Sequence, residues 1–248
     1  QNVLNPDNEC THWVLLPGNA RRQYATLVEK QALLLSKSEE SPYNSELDNQ
    51  NSKLGVLACG IAYNYVMEND PHKLGIPVLK VSQYPLPEAT IKAFAAQCES
   101  LLIAEDGQPM VEEQVKALLG ADYPVIGRLT GALPRMGELT PDNVGAALGV
   151  SVEQPYANAQ NVMPRPPALC QGCGHRDVYE YPDARIFGDI GCYTLGALPP
   201  FRAIDSCVDM GASITMAKGA ADAGVHPAIA VIGDSTFMHS GITGLVNI

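Results

Sequence analysis

Positive charge is scarce in this sequence, aromatic residues make up 6% of it, and no long apolar run occurs. Sixteen Lys and Arg face 27 Asp and Glu, for a net charge of −11 and no basic stripe. A phosphate backbone would be repelled rather than steered, which excludes nucleic acid as an expected partner. No stretch approaches the roughly 20 apolar residues needed to cross a bilayer. Gln1 to Asp7 has neither the charged nor the apolar part of a secretory leader. The expectation is a cytoplasmic chain with no membrane partner. Seven cysteines, an odd number set in apolar or glycine-rich contexts, read as reduced thiols rather than a disulfide framework. There is no initial Met, and the sequence stops at Ile248 as an amphipathic pattern begins, which reads as a fragment.

What is present is enough for a core. The chain has 248 residues, 46% of them hydrophobic and 17% charged, which suits one or two globular domains. A helix-like stretch spans Asn19 to Leu35, and the polar segment Ser36 to Ser52 reads as a linker. From Leu54, apolar runs alternate with helical periodicity: LGVLACG, a helix near Ala62 to Glu68, IPVLKVS, a helix over Glu88 to Cys98, SLLIAED, a helix over Val111 to Leu119, and PVIGRL. Such alternation predicts a parallel sheet covered on both faces.

The proline-rich joint Met163-Pro164-Arg165-Pro166-Pro167 precedes a second unit with a strand at Ala184 to Phe187, a helix at Gly211 to Ala223 and a strand at Pro227 to Ile232. The fold class expected is α/β, two doubly wound three-layer α/β/α units with the second one partial. The segments are 1–52, connecting helix and polar linker; 53–150, an α/β domain; 151–167, a proline-rich linker; and 168–248, a truncated second α/β domain. Between His175 and Gly188 there is little room for a crossover helix, so either residues are missing or the connection is unusually small.

The chemistry-bearing residues lie in the second unit. Apolar residues 228 to 232 deliver Gly233-Asp234-Ser235 to the carboxyl end of a strand, where ligands of open α/β sheets sit. A glycine there lets a phosphate approach the backbone, and a carboxylate can ligate Mg²⁺ bridging phosphate oxygens, so Asp234 is the candidate metal ligand. The alternative is a plain turn. Asp209-Met210-Gly211-Ala212-Ser213 opens the preceding helix, where Met210 could equally fill a core.

Upstream lie Cys170-Gln171-Gly172-Cys173-Gly174-His175-Arg176 and Gly188-Asp189-Ile190-Gly191-Cys192-Tyr193. Without a second C-x-x-C, an H-x₃₋₅-H or a C-x₂-C-x₂-C run, neither zinc nor an iron–sulfur cluster is expected on Cys170 and Cys173. For Cys173 and Cys192 a small buried hydrophobe competes with cofactor contact, and no role falls to His239.

In this order the motifs resemble the alpha-subunit family of indolepyruvate:ferredoxin oxidoreductases, thiamine-diphosphate (TPP) enzymes that act on 2-oxoacids. The resemblance extends back through Leu16-Pro17-Gly18-Asn19-Ala20-Arg21-Arg22, Leu54-Gly55-Val56, the helix of Tyr63 and Gly137-Glu138-Leu139-Thr140-Pro141. It implies a transketolase-C-like domain over 53–150 and a diphosphate-binding TPP domain over 168–248. It also implies oxidative decarboxylation of an aryl 2-oxoacid such as indolepyruvate, with TPP and Mg²⁺ as cofactors, CoA as acyl acceptor, and ferredoxin and a beta subunit as partners. Carried over, Gly172, Cys173 and His175 form a first cofactor loop, and Asp189, Ile190, Gly191, Cys192 and Tyr193 a second. Met210 and Gly211 lie near the ring system, and Gly233, Asp234, Ser235 and Thr236 hold diphosphate and metal.

The carboxylate that activates the aminopyrimidine, a second side-chain metal ligand and the [4Fe-4S] clusters belong, by this resemblance, to parts of the intact subunit outside the chain. No catalytic residue is assigned, and the chain alone is expected to be inactive. Two alternatives stand beside this reading: another 2-oxoacid:ferredoxin oxidoreductase, or a non-catalytic module binding an anion or nucleotide.

Overall fold

The computed structural model describes residues 9–47, 52–151, 163, 166–179 and 183–248. The chain divides into two compact units, Gln1–Ala157 and Asn158–Ile248. Residues 164 and 165 of the proline-rich joint lie outside the described residues, as do residues 48–51 of the polar segment.

The first unit runs α1 (Cys10–Trp13), α2 (Pro17–Glu39), β1 (Ser45–Leu47), β2 (Ser52–Cys59), α3 (Ile61–Glu68), α4 (Pro71–Leu74), β3 (Val78–Val81), α5 (Glu88–Ala95), β4 (Cys98–Ala104), α6 (Met110–Leu119), β5 (Val125–Ile126) and α7 (Pro141–Ala147). Its sheet has the order β1-β3-β2-β4-β5, with only β1 antiparallel to its neighbour. Side chains of a strand alternate between faces, so a strand buried on both sides reads as a continuous apolar run. Val56 and Ala58 of β2 accordingly pack with Ala62 and Val66 of α3 and Val144 of α7. Leu57 and Cys59 of the same strand pack on the other side with Ile91 and Phe94 of α5 and Val111 and Val115 of α6. This is the three-layer α/β arrangement that the alternation predicts.

The polar segment 36–52, expected to be a linker, holds the end of α2 and the edge strand β1. Asn44 makes the difference: its amide donates to the Ser38 carbonyl at 2.9 Å while its oxygen accepts from Ser82 N at 2.8 Å and Gln83 N at 3.0 Å. The buried Ser38 hydroxyl donates to the Pro85 carbonyl at 2.6 Å. These polar side chains satisfy backbone groups beyond β3, which composition alone cannot distinguish from solvation by water.

One device recurs at the helix starts. Pro87 and Pro109 precede α5 and α6 and bring no side-chain cap. Distant carboxylates supply it: Glu39 accepts from Ala89 N and Thr90 N, and Glu105 from Val111 N and Glu112 N. An acidic group on free N–H donors offsets both their missing partners and the helix dipole.

The second unit begins with a 3₁₀ turn (Gly174–Tyr179), then β6 (Arg185–Gly188), a 3₁₀ turn (Cys192–Ala197), β7 (Ser206–Cys207), α8 (Ala212–Asp222), β8 (Ala228–Val231), α9 (Asp234–Thr236), a π turn (Phe237–Gly241) and α10 (Ile242–Asn247). Its three strands are parallel in the order β7-β6-β8. Among the described residues no strand of this sheet precedes β6, so the short stretch 175–188 has no parallel crossover to make and holds a 3₁₀ turn instead. No helix among the described residues is long and apolar enough to cross a membrane.

Candidate functional site

The register of β6 on β8 builds the site. Gly188 pairs with Val231, so the loop starting at Asp189 and the segment Gly233-Asp234-Ser235 leave the same carboxyl edge side by side. In an open parallel sheet that edge is where ligands sit. Four motif segments that are far apart in sequence meet there.

Asp189 joins two of them. Fully buried, its carboxylate accepts from Gly211 N at 2.8 and 3.0 Å, from Ser213 N at 3.2 Å and from its neighbour Ile190 N at 2.9 Å. Burial pushes the carboxyl pKa up, but the N–H groups of Gly211, Ser213 and Ile190 outweigh it and hold the group below the ordinary carboxylate range. Asp189 therefore caps α8 and anchors the Met210-Gly211 turn, and its carboxylate is not turned to the open edge. Gly211 takes φ +97°, and a Cβ there would also meet Ser240 Oγ at 2.5 Å, so only glycine fits.

Tyr193 joins another pair. Its ring is buried and its hydroxyl donates to the Ile190 carbonyl at 3.1 Å. A Cβ on Gly233 would lie 2.8 Å from the Tyr193 ring, and one on Gly191 only 2.6 Å from it. Both glycines thus make room for this ring, a packing reason that differs from the phosphate approach expected for Gly233. Replacing Gly233 by Ala is expected to overpack this contact and cost about 1–3 kcal/mol. A thermal unfolding transition of the second unit unchanged from wild type would show that Tyr193 can yield.

His175 faces the Tyr193 ring edge-on at 6.0 Å between centroids, and its Nδ1 lies 3.2 Å from Cys173 Sγ. The first loop therefore meets the second through these three side chains. Cys170 and Cys192 are exposed free thiols, and Cys173 is half-buried. Among the described residues no three His, Cys, Asp or Glu side chains gather to hold a metal ion.

The expected site residues thus separate into two groups. Asp189, Tyr193 and Thr236 are buried and build the scaffold. Gly172, His175, Ile190, Gly191, Cys192, Met210, Asp234 and Ser235 are exposed, with Cys173, Gly211 and Gly233 partly so. Asp234 starts α9 with Oδ1 accepting from Ser235 N at 2.8 Å, which fixes the carboxylate while leaving its other oxygen open.

Three participants escaped the sequence. Thr194 accepts from Gly191 N at 2.9 Å and donates to the Asp189 carbonyl at 2.5 Å, holding the second loop closed. Ser213 lends its N–H to Asp189. Ser240 Oγ lies 3.3 Å from the Met210 carbonyl. A carboxylate just after a strand, followed by a Gly-Ala-Ser helix start, was the legible signal for the Asp189 cap.

No family model matches the chain. Indolepyruvate oxidoreductase subunit IorA of Archaeoglobus fulgidus is 37% identical to it, over 94% of this chain and 41% of that protein. The subunit IorA of Methanothermobacter thermautotrophicus is 36% identical over 95% of the chain and 42% of the relative. That of Thermococcus kodakarensis is 33% identical over 96% and 42%. A solved 2-oxoglutarate:ferredoxin oxidoreductase from Magnetococcus marinus overlaps 54% of this chain and 24% of its own with a TM-score of 0.38 and 17% identity. The chain spans about two fifths of the length of the curated relatives it matches. Sharing 33–37% of its residues with these three proteins over about 95% of its length, the chain is homologous to a two-fifths stretch of indolepyruvate oxidoreductase subunit IorA.

Proposed function

We infer that the chain is the diphosphate-binding part of a TPP-dependent indolepyruvate:ferredoxin oxidoreductase, which converts aryl 2-oxoacids to acyl-CoA. One observation carries the reading: four motif segments converge on one carboxyl sheet edge, with Asp234 exposed at the end of β8. The donor set fits the group in part. Asp234 offers one hard carboxylate oxygen for Mg²⁺, and Gly172, at φ +75° with open space where a Cβ would stand, leaves its backbone accessible to an anion. TPP, when bound, supplies the ylide and the electron sink for decarboxylation.

The protein's own residues bind and orient. Asp189 and Tyr193 fix the loops, Met210 and Ile190 present apolar surface, and the Cys173–His175 pair sits against Tyr193. The whole protein, in this reading, works in the cytoplasm with a beta subunit, CoA, ferredoxin and [4Fe-4S] clusters held outside this chain, and the chain alone turns over no 2-oxoacid.

Asp234→Ala in the intact enzyme is the test. Loss even of groups that merely support metal ligands weakens metal binding about 10–100-fold, so a direct ligand belongs at the upper end, near 100-fold in Mg²⁺-dependent TPP affinity. Calorimetric titration of TPP in Mg²⁺ reads this directly. Wild-type affinity in the variant would sink the assignment of Asp234.

A further inference from the structure

The first unit carries a cleft that the reading of the second unit leaves unused. After β2 the chain turns to α3, on the face holding Val56 and Ala58. After the adjacent parallel strand β4 it turns to α6, on the opposite face with Leu57 and Ile103. Connections leaving neighbouring strands in opposite directions open a crevice at the carboxyl edge, the general location of ligands in open α/β sheets. A cleft of about 610 Å³ lies at that point, within the size range of small-molecule sites.

Its chemistry is selective. Tyr84, 54% exposed, and Met110, 64% exposed, offer an aromatic face and a thioether at the lining, over an apolar floor that includes Val81 and Val111. Gly60 stands at the end of β2 with nothing within 4 Å of where a Cβ would be. Glu105 and Asp106 line the cleft, and no Lys, Arg or His does so among the described residues. Glu105 spends both oxygens on Val111 N and Glu112 N. Asp106 places Oδ1 on Gly107 N and on Arg128 Nη2 at 2.8 Å, while its other oxygen accepts nothing among the described residues. An anion would meet two carboxylates and no cation in the lining, the Arg128 guanidinium behind Asp106 being already engaged by it. A flat, uncharged ring bearing hydroxyl donors meets none of that repulsion, and a strand-end carboxylate is the group that takes ribose hydroxyls in related crevices.

We propose that this cleft binds an uncharged nucleoside, with the base against Tyr84 and Met110 and the ribose hydroxyls donating to Asp106. All of these groups belong to the first unit, so the proposal does not depend on TPP binding in the second.

The experiment titrates adenosine and, separately, AMP into the full 248-residue chain, following backbone amide resonances by NMR. Adenosine is expected to give saturable shifts at Gly60, Ser82 and Gly107, and AMP to bind at least about 10-fold more weakly. Tyr84→Ala and Met110→Asp should each weaken adenosine about 10-fold or more with the folded spectrum retained, since base–aromatic stacking is lost in one and an added carboxylate crowds the base in the other. Met110 opens α6, where a carboxylate suits the helix start, so that variant keeps the fold. No saturation at millimolar adenosine, AMP binding as tightly as adenosine, or adenosine affinity unchanged in both variants would each overturn the proposal.

Discussion

Arg128→Met is expected to destabilise the first unit by about 3–5 kcal/mol, the largest effect of any single substitution considered for this chain. Arg128 is 2% exposed, and its guanidinium bonds to three backbone carbonyls and to the Asp106 carboxylate. Nε donates to the Glu105 carbonyl at 3.0 Å, Nη1 to the Pro134 carbonyl at 2.7 Å, and Nη2 to Asp106 Oδ1 at 2.8 Å, with the Gly137 carbonyl 3.3 Å from both terminal nitrogens. Methionine fills much of the stem volume but returns none of these bonds. The Glu105, Pro134 and Gly137 carbonyls then lose this donor and the Asp106 carboxylate loses its counter-ion, a loss that adds to any cavity.

Lysine keeps the charge, but one ammonium cannot span these four acceptors, so Arg128→Lys should fall between wild type and Met. Urea unfolding of the first unit measures both. A Met variant within 1 kcal/mol of wild type, an order-of-magnitude threshold for a mildly perturbing change, would mean that water or backbone movement replaces the guanidinium.

Asp189→Ala should cost the second unit about 2–4 kcal/mol. The carboxylate holds the N–H groups of Gly211 and Ser213. Loss of a helix cap costs about 0.5–2 kcal/mol, and the charge on this buried acceptor carries the cost to the upper part of that range and beyond. Asp189→Asn keeps an acceptor and should lose less.

The two variants also separate by pH. The folded pKa of Asp189 lies below the ordinary value because, although burial raises it, the N–H groups of Gly211, Ser213 and Ile190 lower it more. A depressed carboxyl pKa contributes stability above the unfolded value near 4 and loses it as pH falls through the folded value. The stability gap between wild type and Asp189→Asn should therefore be full at pH 7 and shrink below about pH 4. Denaturant unfolding of the two proteins at pH 7 and in acid reads it. A gap that stays constant into acid would remove the carboxylate charge from the account of the cap.

The sequence by itself determined the layering of the first unit. A run such as Val56 to Cys59 is apolar at every position, and only a strand buried on both faces uses such a run, so the sheet and its two helical covers were legible. The strand that delivers Gly233 and Asp234 to its carboxyl end was legible from its apolar run, as was the order of the four motif segments. The tasks of individual residues within those motifs were not.

Asp189 reads identically in sequence whether it faces a cofactor or the N-terminus of α8. Its partners lie 22 and 24 residues away, and only the return of the chain after β7 brings them within 3.2 Å. The packing of the Tyr193 ring against the glycines at 191 and 233 was not legible either, because only the fold brings that ring to both. Asn44 turned an apparent linker into an edge strand by bonding across 38 and 39 residues, and Arg128 reaches the Glu105 carbonyl 23 residues back, next to the pairing of β4 with β5. Local periodicity is written in the chain because neighbouring residues share one backbone, whereas these pairings depend on which distant segment arrives, and that is fixed only when the core closes.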